Sequence, residues 1–348
     1  MARARIRDFG IAIGTMPVGA RNAIGDVPGV RVGHATRIDG EACTGVSVVL
    51  PHADNLFRDK VIAAQHVFNG FGKSVGLVQV DELGTIETPI ALSNTFAVGT
   101  CATALIRHAI AGNPDIGRTT GTVNPVVLEC NDGYLNDIQA FPVQEQDVAQ
   151  AIAAATADCG QGAVGAGAGM SAFGLKGGIG SASRVVTLDG KGFGLGVLVL
   201  ANFGRRSDLR LDGRPAGAAA LQTDHDTGSV IVVLATDIPL DARQLARVCR
   251  RAVVGLARAG SFLGHGSGDI VVGFTTAHRI RHDEKRDVVP LAVLNESRID
   301  LPFRATAEAV EEAVLNAMVA APATEGRGGR RESLFDQLTA LGYSAKLR

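Results

Sequence analysis

Gly260 and Ser261 close a strongly amphipathic segment, and a serine directly after a glycine at such a place is equipped for a particular chemistry. If the Gly260–Ser261 bond breaks, Ser261 becomes a new N-terminus with its hydroxyl beside a free amine that serves as its base. Such an amine, with an unperturbed pKa near about 7.7–8.0, accepts a proton at neutral pH, so no Ser-His-Asp triad is needed. The run Ala257-Arg258-Ala259-Gly260-Ser261-Phe262-Leu263-Gly264-His265-Gly266-Ser267-Gly268-Asp269 also fits a helix C-cap glycine followed by a polar loop. Local sequence alone favours that plainer reading.

Competing chemistries have weaker carriers. Ser267 lies in Gly266-Ser267-Gly268 and Ser171 in Gly169-Met170-Ser171-Ala172-Phe173-Gly174, and neither is the G-x-S-x-G of a nucleophile elbow. His52-Ala53-Asp54 and Asp224-His225-Asp226 offer metal-type side chains, but there is no H-E-x-x-H, and isolated pairs of this kind are more often loop residues. No metal and no cofactor is expected. The glycine-dense stretch from Gly160 to Gly180 has neither a Walker A ending nor dinucleotide spacing, and it is read as close-packed strands and turns.

The elements that must position Ser261 are legible. Leu245, Val248, Cys249, Ala252, Val253 and Leu256 recur at helical spacing, with Asp241 and Gln244 in a capping box and Gly260 at the C-terminal end. Asp269 to Thr276 then reads as a core strand, so Ser261 falls between a rigid helix and the approach to a strand. Further strands are expected at 46–50, 76–80, 125–128, 194–201 and 229–235, and helices at 98–111, 146–157 and 305–321. In the last helix Val310, Ala313, Val314, Ala317 and Met318 form the apolar stripe, and Glu308 and Glu312 are expected to face water. Glu311 lies at the margin, roughly 65° from the stripe's centre, where a carboxylate is half buried and reaches an adjoining site. It also fits a glutamate placed favourably for the helix dipole. Residues 279–300 read as a charged surface loop and Ala323 to Arg331 as a mobile tail.

Composition bounds the function class. The chain has 348 residues, 46% hydrophobic and 20% charged, which suits a globular protein with a large core. Its formal net charge of −1 offers no basic field for a phosphate backbone, so nucleic acid is not an expected partner. No apolar run is long enough for a membrane span, and the five scattered cysteines, without a C-x-x-C pair, suggest buried thiols in a reducing compartment. A cytoplasmic location is expected.

Several segments in order resemble the self-processing L-aminopeptidase/D-amidase-esterase family, which includes the β-peptidyl aminopeptidases. They are Ile24-Gly25-Asp26-Val27-Pro28-Gly29-Val30-Arg31-Val32-Gly33-His34-Ala35-Thr36, Phe68-Asn69-Gly70-Phe71-Gly72, Glu87-Thr88-Pro89-Ile90-Ala91-Leu92-Ser93-Asn94-Thr95 and Glu129-Cys130-Asn131-Asp132-Gly133-Tyr134-Leu135-Asn136-Asp137. Ala201-Asn202-Phe203-Gly204, Gly260-Ser261 with Gly266-Ser267-Gly268-Asp269, and Glu311-Glu312-Ala313 complete the set. The resemblance implies an α/β fold, a four-layer αββα sandwich like that of the N-terminal-nucleophile hydrolases with different strand connectivity. It also implies one domain over residues 1–348, cut by its own action into an α chain 1–260 and a β chain 261–348 that stay associated, and oligomers of such heterodimers.

By the same resemblance Ser261 is the nucleophile, Asn202 and Tyr134 donate to the oxyanion, and Glu311 orients the nucleophile, with Glu312 as the fallback. The family often has a serine two residues before that glutamate; here the position is Ala309. Taken by themselves, Asn202 fits a turn asparagine and Tyr134 a core tyrosine. An aminopeptidase must hold its substrate's ammonium, and Glu129 and Asp132 are the candidate carboxylates. The expected activity is release of N-terminal residues from small peptides, amides or esters. The alternatives are an acyltransferase of the ornithine acetyltransferase type, against which Ser261 in place of threonine argues, and a processed binding protein without turnover.

Overall fold

The structure is a computed structural model that describes residues 4–216 and 228–346. Its strands are β1 (Arg31–Asp39), β2 (Ala42–Leu50), β3 (Asp59–Gly70), β4 (Thr85–Ile86), β5 (Ile90–Asn94), β6 (Val126–Cys130), β7 (Ser171–Ala172) and β8 (Leu175–Lys176). They continue with β9 (Gly178–Leu188), β10 (Lys191–Asn202), β11 (Arg210–Leu211), β12 (Arg214–Pro215), β13 (Ser229–Thr236), β14 (Gly268–Arg281), β15 (Thr324–Gly326) and β16 (Gly329–Arg331). The helices are α1 (Leu77–Leu83), α2 (Val98–Gly112), α3 (Glu145–Ala153), α4 (Ala242–Cys249), α5 (Ala252–Ala259), α6 (Asp300–Val319) and α7 (Leu334–Ala340).

Two sheets face each other. One has the order β1-β2-β5-β6 and the other β4-β3-β14-β13-β10-β9. Strand periodicity explains why both faces of the larger sheet are apolar. Leu198, Leu200, Ile231, Val233, Ile270 and Val272 point inward and meet Val49, Leu92 and Leu128 of the smaller sheet. Their neighbours Val197, Val199, Val230, Val232 and Val271 point outward, against α4, α5 and α6. On the far side Val46, Val48, Ala91 and Val127 pack on α2 and α3. The result is the expected αββα sandwich. Glycine at 180 is required by the closeness of these layers, because a Cβ there would collide with the Ala313 carbonyl of α6.

Three sequence expectations fail in instructive ways. The run 76–80 is helical, not extended: Gly76 and Gly84, both at positive φ, bracket α1. A short apolar run carries no period long enough to separate the two states. The expected single helix before Ser261 is broken at Arg250-Arg251 into α4 and α5. The tail 323–331 forms the β15–β16 hairpin and is fastened to the loop after β6, with Gly328 N–H donating to the Tyr134 carbonyl at 2.7 Å.

The largest departure concerns α6. Glu308 and Glu312 do not face water; both are buried. Helical periodicity locates one apolar face but does not reveal that the N-terminal segment covers the other. The fully buried Arg184 of β9 reaches both carboxylates, at 3.1 Å to Glu308 and 2.8 Å to Glu312. Arg7 reaches Glu312 at 2.6 Å. Removing one partner strands buried charge, so Glu312→Ala is expected to lower stability by about 3–5 kcal/mol. Equilibrium denaturation checks this, and a loss under about 1 kcal/mol would mean the cluster is not a keystone.

Candidate active site

Strand direction gathers the candidate residues at one end of the sandwich. β13 and β14 run parallel, and Ser229 at the start of β13 pairs with both Gly268 of β14 and Asn202 at the end of β10. β3 ends at the same level, with Gly70 opposite Gly268. In the smaller sheet β5 and β6 also end together, Asn94 opposite Cys130. The two ends touch: Cys130 Sγ donates to the Ser229 carbonyl at 3.3 Å, and Asn202 Nδ2 to the Asn131 carbonyl at 2.9 Å.

Ser261 lies on the crossover from β13 to β14 and is 7% exposed. α5 stops at Gly260, whose φ of 116° suits only glycine, and a Cβ there would collide with the Asp208 carbonyl. Ser261 N–H still closes on the Leu256 carbonyl at 3.0 Å, and Leu263 N–H donates to Ser261 Oγ at 3.1 Å. Leu263 itself has φ of 57°, a conformation that costs a branched-chain residue about 1 kcal/mol or more. Asn69 Nδ2 donates to the Gly264 carbonyl and ties this tight loop to the end of β3.

Asn202 is the last residue of β10 and not part of the following turn, and its φ is not positive. Its amide is held from both sides, Oδ1 accepting from Ser171 N–H at 2.8 Å and Nδ2 donating to Asn131. One Nδ2 hydrogen is so used, and an amide has a second. Tyr134 is not a core residue: it is 39% exposed, with the Arg331 guanidinium 3.6 Å above its ring.

The two candidate carboxylates differ. Glu129 is buried at the end of β6, accepting from Lys73 N–H at 2.9 Å and from the Thr95 hydroxyl. Asp132 is fully buried and accepts from Thr44 Oγ1 and from Asn136 Nδ2, the latter at 2.9 Å. Burial pushes the Asp132 carboxyl up from 3.8 to about 6, against the opposing pull of those bonds. A carboxyl whose folded-state pKa is raised stabilises the fold while protonated, and that contribution is lost as pH rises from the unfolded value through about 6. Asp132→Asn, which stays neutral, is expected to gain roughly 3 kcal/mol on the wild type between about pH 4 and pH 7. Parallel stability curves for the two proteins across that range would contradict the buried carboxyl.

Glu311 approaches from the helix layer. It is 7% exposed, more deeply set than its place beside the stripe suggested. Burial pushes its carboxyl up, opposed by Arg258 of α5, whose Nη1 lies 3.7 Å from it. The pair opens on a cleft of about 410 Å³ that Arg210 and Asp212 also line. Glu312, the fallback, is spent on Arg184 and Arg7. Ala309 is fully buried in the apolar core.

The competing sites come apart. His52 Nε2 bonds the Asp59 carbonyl at 2.8 Å and its Nδ1 accepts from Asp54 N–H at 3.2 Å, which occupies both ring nitrogens. Asp224-His225-Asp226 lies outside the described residues. Ser267 Oγ donates to Asp269 at 2.6 Å and Ser171 Oγ accepts from Arg331 Nε at 3.2 Å. Sequence reasoning missed Lys176, Arg258 and Arg331. Only Lys176 left a trace there, as the one charged residue between Asp158 and Arg184.

Comparison with known proteins agrees with this architecture. The chain is 38% identical to the β-peptidyl aminopeptidase BapA of Sphingosinicella microcystinivorans, over 93% of this chain and 88% of that one. It is 49% identical to the solved PH0078 protein of Pyrococcus horikoshii OT3, with a TM-score of 0.93, covering 97% of this chain and 98% of that one. The L-aminopeptidase D-Ala-esterase/amidase of Ochrobactrum anthropi, described as a prototype for the serine aminopeptidases and a new variant of the Ntn hydrolase fold, is 36% identical. Its TM-score is 0.89, over 98% of this chain and 99% of that one. Among the described residues no helix is long and apolar enough to cross a membrane. The model of peptidase family S58 matches residues 22–332, and the chain therefore belongs to that family of peptide-bond hydrolases.

Proposed function

We propose that this peptidase is a self-cut serine aminopeptidase that releases N-terminal residues from small peptides, amides or esters with a free amine. The observation that carries the reading is the Gly260–Ser261 junction, a buried serine directly after a helix-ending glycine in left-handed conformation. In the first step Ser261 Oγ attacks the Gly260 carbonyl carbon and the C–N bond breaks. The Gly260 acyl group passes to Oγ while the nitrogen takes the proton. Water then cleaves that ester, leaving a Gly260 carboxylate and a Ser261 with both hydroxyl and amine.

In turnover the amine takes the Oγ proton as Oγ attacks the substrate carbonyl. Asn202 Nδ2 and the Tyr134 hydroxyl donate to the resulting oxyanion. The proton then passes to the leaving amine, and water releases the acyl group. Glu311, whose carboxylate lies 3.7 Å from Arg258 three residues before Ser261, is the carboxylate assigned to hold the Ser261 ammonium when it is charged. Both candidate carboxylates for the substrate's ammonium are buried and hydrogen-bonded. Glu129 is the better one, because burial pushes the Asp132 carboxyl up to about 6, toward its neutral form. The names of the relatives, which speak of β-peptides, L-amino acids and D-alanyl esters, support a substrate with a free amine close to the scissile carbonyl. The cut chains would remain together as one domain, since β14 sits between β3 and β13. Such heterodimers would further assemble into a homo-oligomer.

Intact mass of purified protein, followed by assay on L-, D- and β-amino-acid amides, tests the reading. Two chains are expected, residues 1–260 and 261–348. A single uncut chain that hydrolyses these amides would overturn it.

A further inference from the structure

Lys176 is fully buried, and its Nζ donates to the carbonyls of Gly167, Met170 and Gly177, each at 2.9 Å. Three acceptors match the three donors of an ammonium. The Met170 carbonyl and the Ser171 N–H belong to one peptide unit. That N–H donates to Asn202 Oδ1 at 2.8 Å, and Asn202 Nδ2 donates onward to the Asn131 carbonyl at 2.9 Å. A cation, a backbone amide and a side-chain amide thus stand in series. Positive charge at an amide oxygen draws electron density from the nitrogen, and each N–H in the series becomes a stronger donor.

Holding the turn does not by itself require this charge. The Lys176 backbone N–H donates to the Glu332 carbonyl at 2.8 Å, and Gly177 N–H to the Met170 carbonyl at 2.9 Å. Burying an ammonium costs several kcal/mol before its partners offset it. A neutral side chain would fill the same space without that cost.

We propose that Lys176 is a positioning residue of the peptidase reaction: its ammonium grips and polarises the Met170–Ser171 peptide, which fixes the Asn202 amide with Nδ2 as a strengthened donor to the oxyanion. This rests on the oxyanion role given to Asn202 above. The fixed Oδ1 also prevents the amide from flipping, which would turn an acceptor toward the developing negative charge. Lys176 touches no substrate and acts only through Asn202.

The test is a double-mutant cycle on the processed enzyme, with the cut fraction measured by intact mass. Lys176→Gln is expected to lower kcat about tenfold or more with KM within about twofold. In an Asn202→Ala background the same substitution is expected to change kcat by less than about twofold. Losses that multiply would overturn the proposal and leave the Asn202 reading intact. An Asn202→Ala enzyme with full kcat would instead show that the oxyanion reading failed, and the proposal with it. If Lys176→Gln does not fold, wild-type protein labelled on asparagine side-chain nitrogen supplies the reading. Asn316 is the control: it accepts from Ile6 N–H at 2.9 Å and donates to the Ser181 carbonyl at 3.0 Å, in the same arrangement as Asn202. The Asn202 proton bonded to Asn131 is expected downfield of its Asn316 counterpart, and an equal or upfield position would overturn the proposal.

Discussion

Ser261→Ala is expected to leave the chain in one piece and to abolish turnover. One hydroxyl performs both attacks in the proposed mechanism, first on the Gly260 carbonyl and then on the substrate. Its removal takes away the covalent route, and loss of a nucleophile that works as a unit with its base costs at least about 10⁴-fold in kcat. The two serines weighed as alternatives are engaged elsewhere, Ser267 Oγ donating to Asp269 and Ser171 Oγ accepting from Arg331. Intact mass and an amide assay on the same preparation read the two consequences separately. A variant that is still cut would assign the scission to another nucleophile. A variant that stays whole but turns over amides would remove Ser261 from catalysis.

Asn202→Ala is expected to lower kcat by about 10²–10³ while KM moves little, because the donor acts on charge that exists only in the transition state. The same change strands the Ser171 N–H and the Asn131 carbonyl, so a stability loss of about 1–3 kcal/mol accompanies it. The two effects separate in kinetics measured well below the melting temperature. Asn202→Asp is the sharper comparison. It retains an acceptor for Ser171 but sets a carboxylate where the oxyanion forms, and its kcat is expected to fall at least as far. Equal rates in wild type and Asn202→Ala would remove this residue from the chemistry.

Five of the ten sandwich strands, β2, β6, β10, β13 and β14, were legible because a strand buried on both faces shows an uninterrupted apolar run, as in β13. β1, β3, β4, β5 and β9 were not read as strands, β9 because glycine, serine and arginine interrupt its apolar run. The capped helix before Ser261 was legible from its stripe and from Asp241. Glu308 and Glu312 were misplaced because a helix covered on all sides hides its charges in pairs made with distant residues. Their partner Arg184 is more than a hundred positions away in sequence. The 323–331 segment, rich in glycine and arginine, gave no sign of a hairpin, since its order comes from docking on the Tyr134 loop rather than from its own propensity.

Local chemistry was thus written in the chain itself. A serine after a helix-terminating glycine, an asparagine at the end of an apolar strand and carboxylates near a strand end are properties of neighbouring residues. Their convergence is not. It depends on β13 and β14 running parallel beside antiparallel β10 and β3, so that strand starts and strand ends share one edge, and on a second sheet whose β5 and β6 finish against it. Register and strand direction are set by the summed packing of two apolar faces, a long-range sum that no local window contains. Only the folded chain could bring a lysine from a glycine-rich turn within two hydrogen bonds of Asn202.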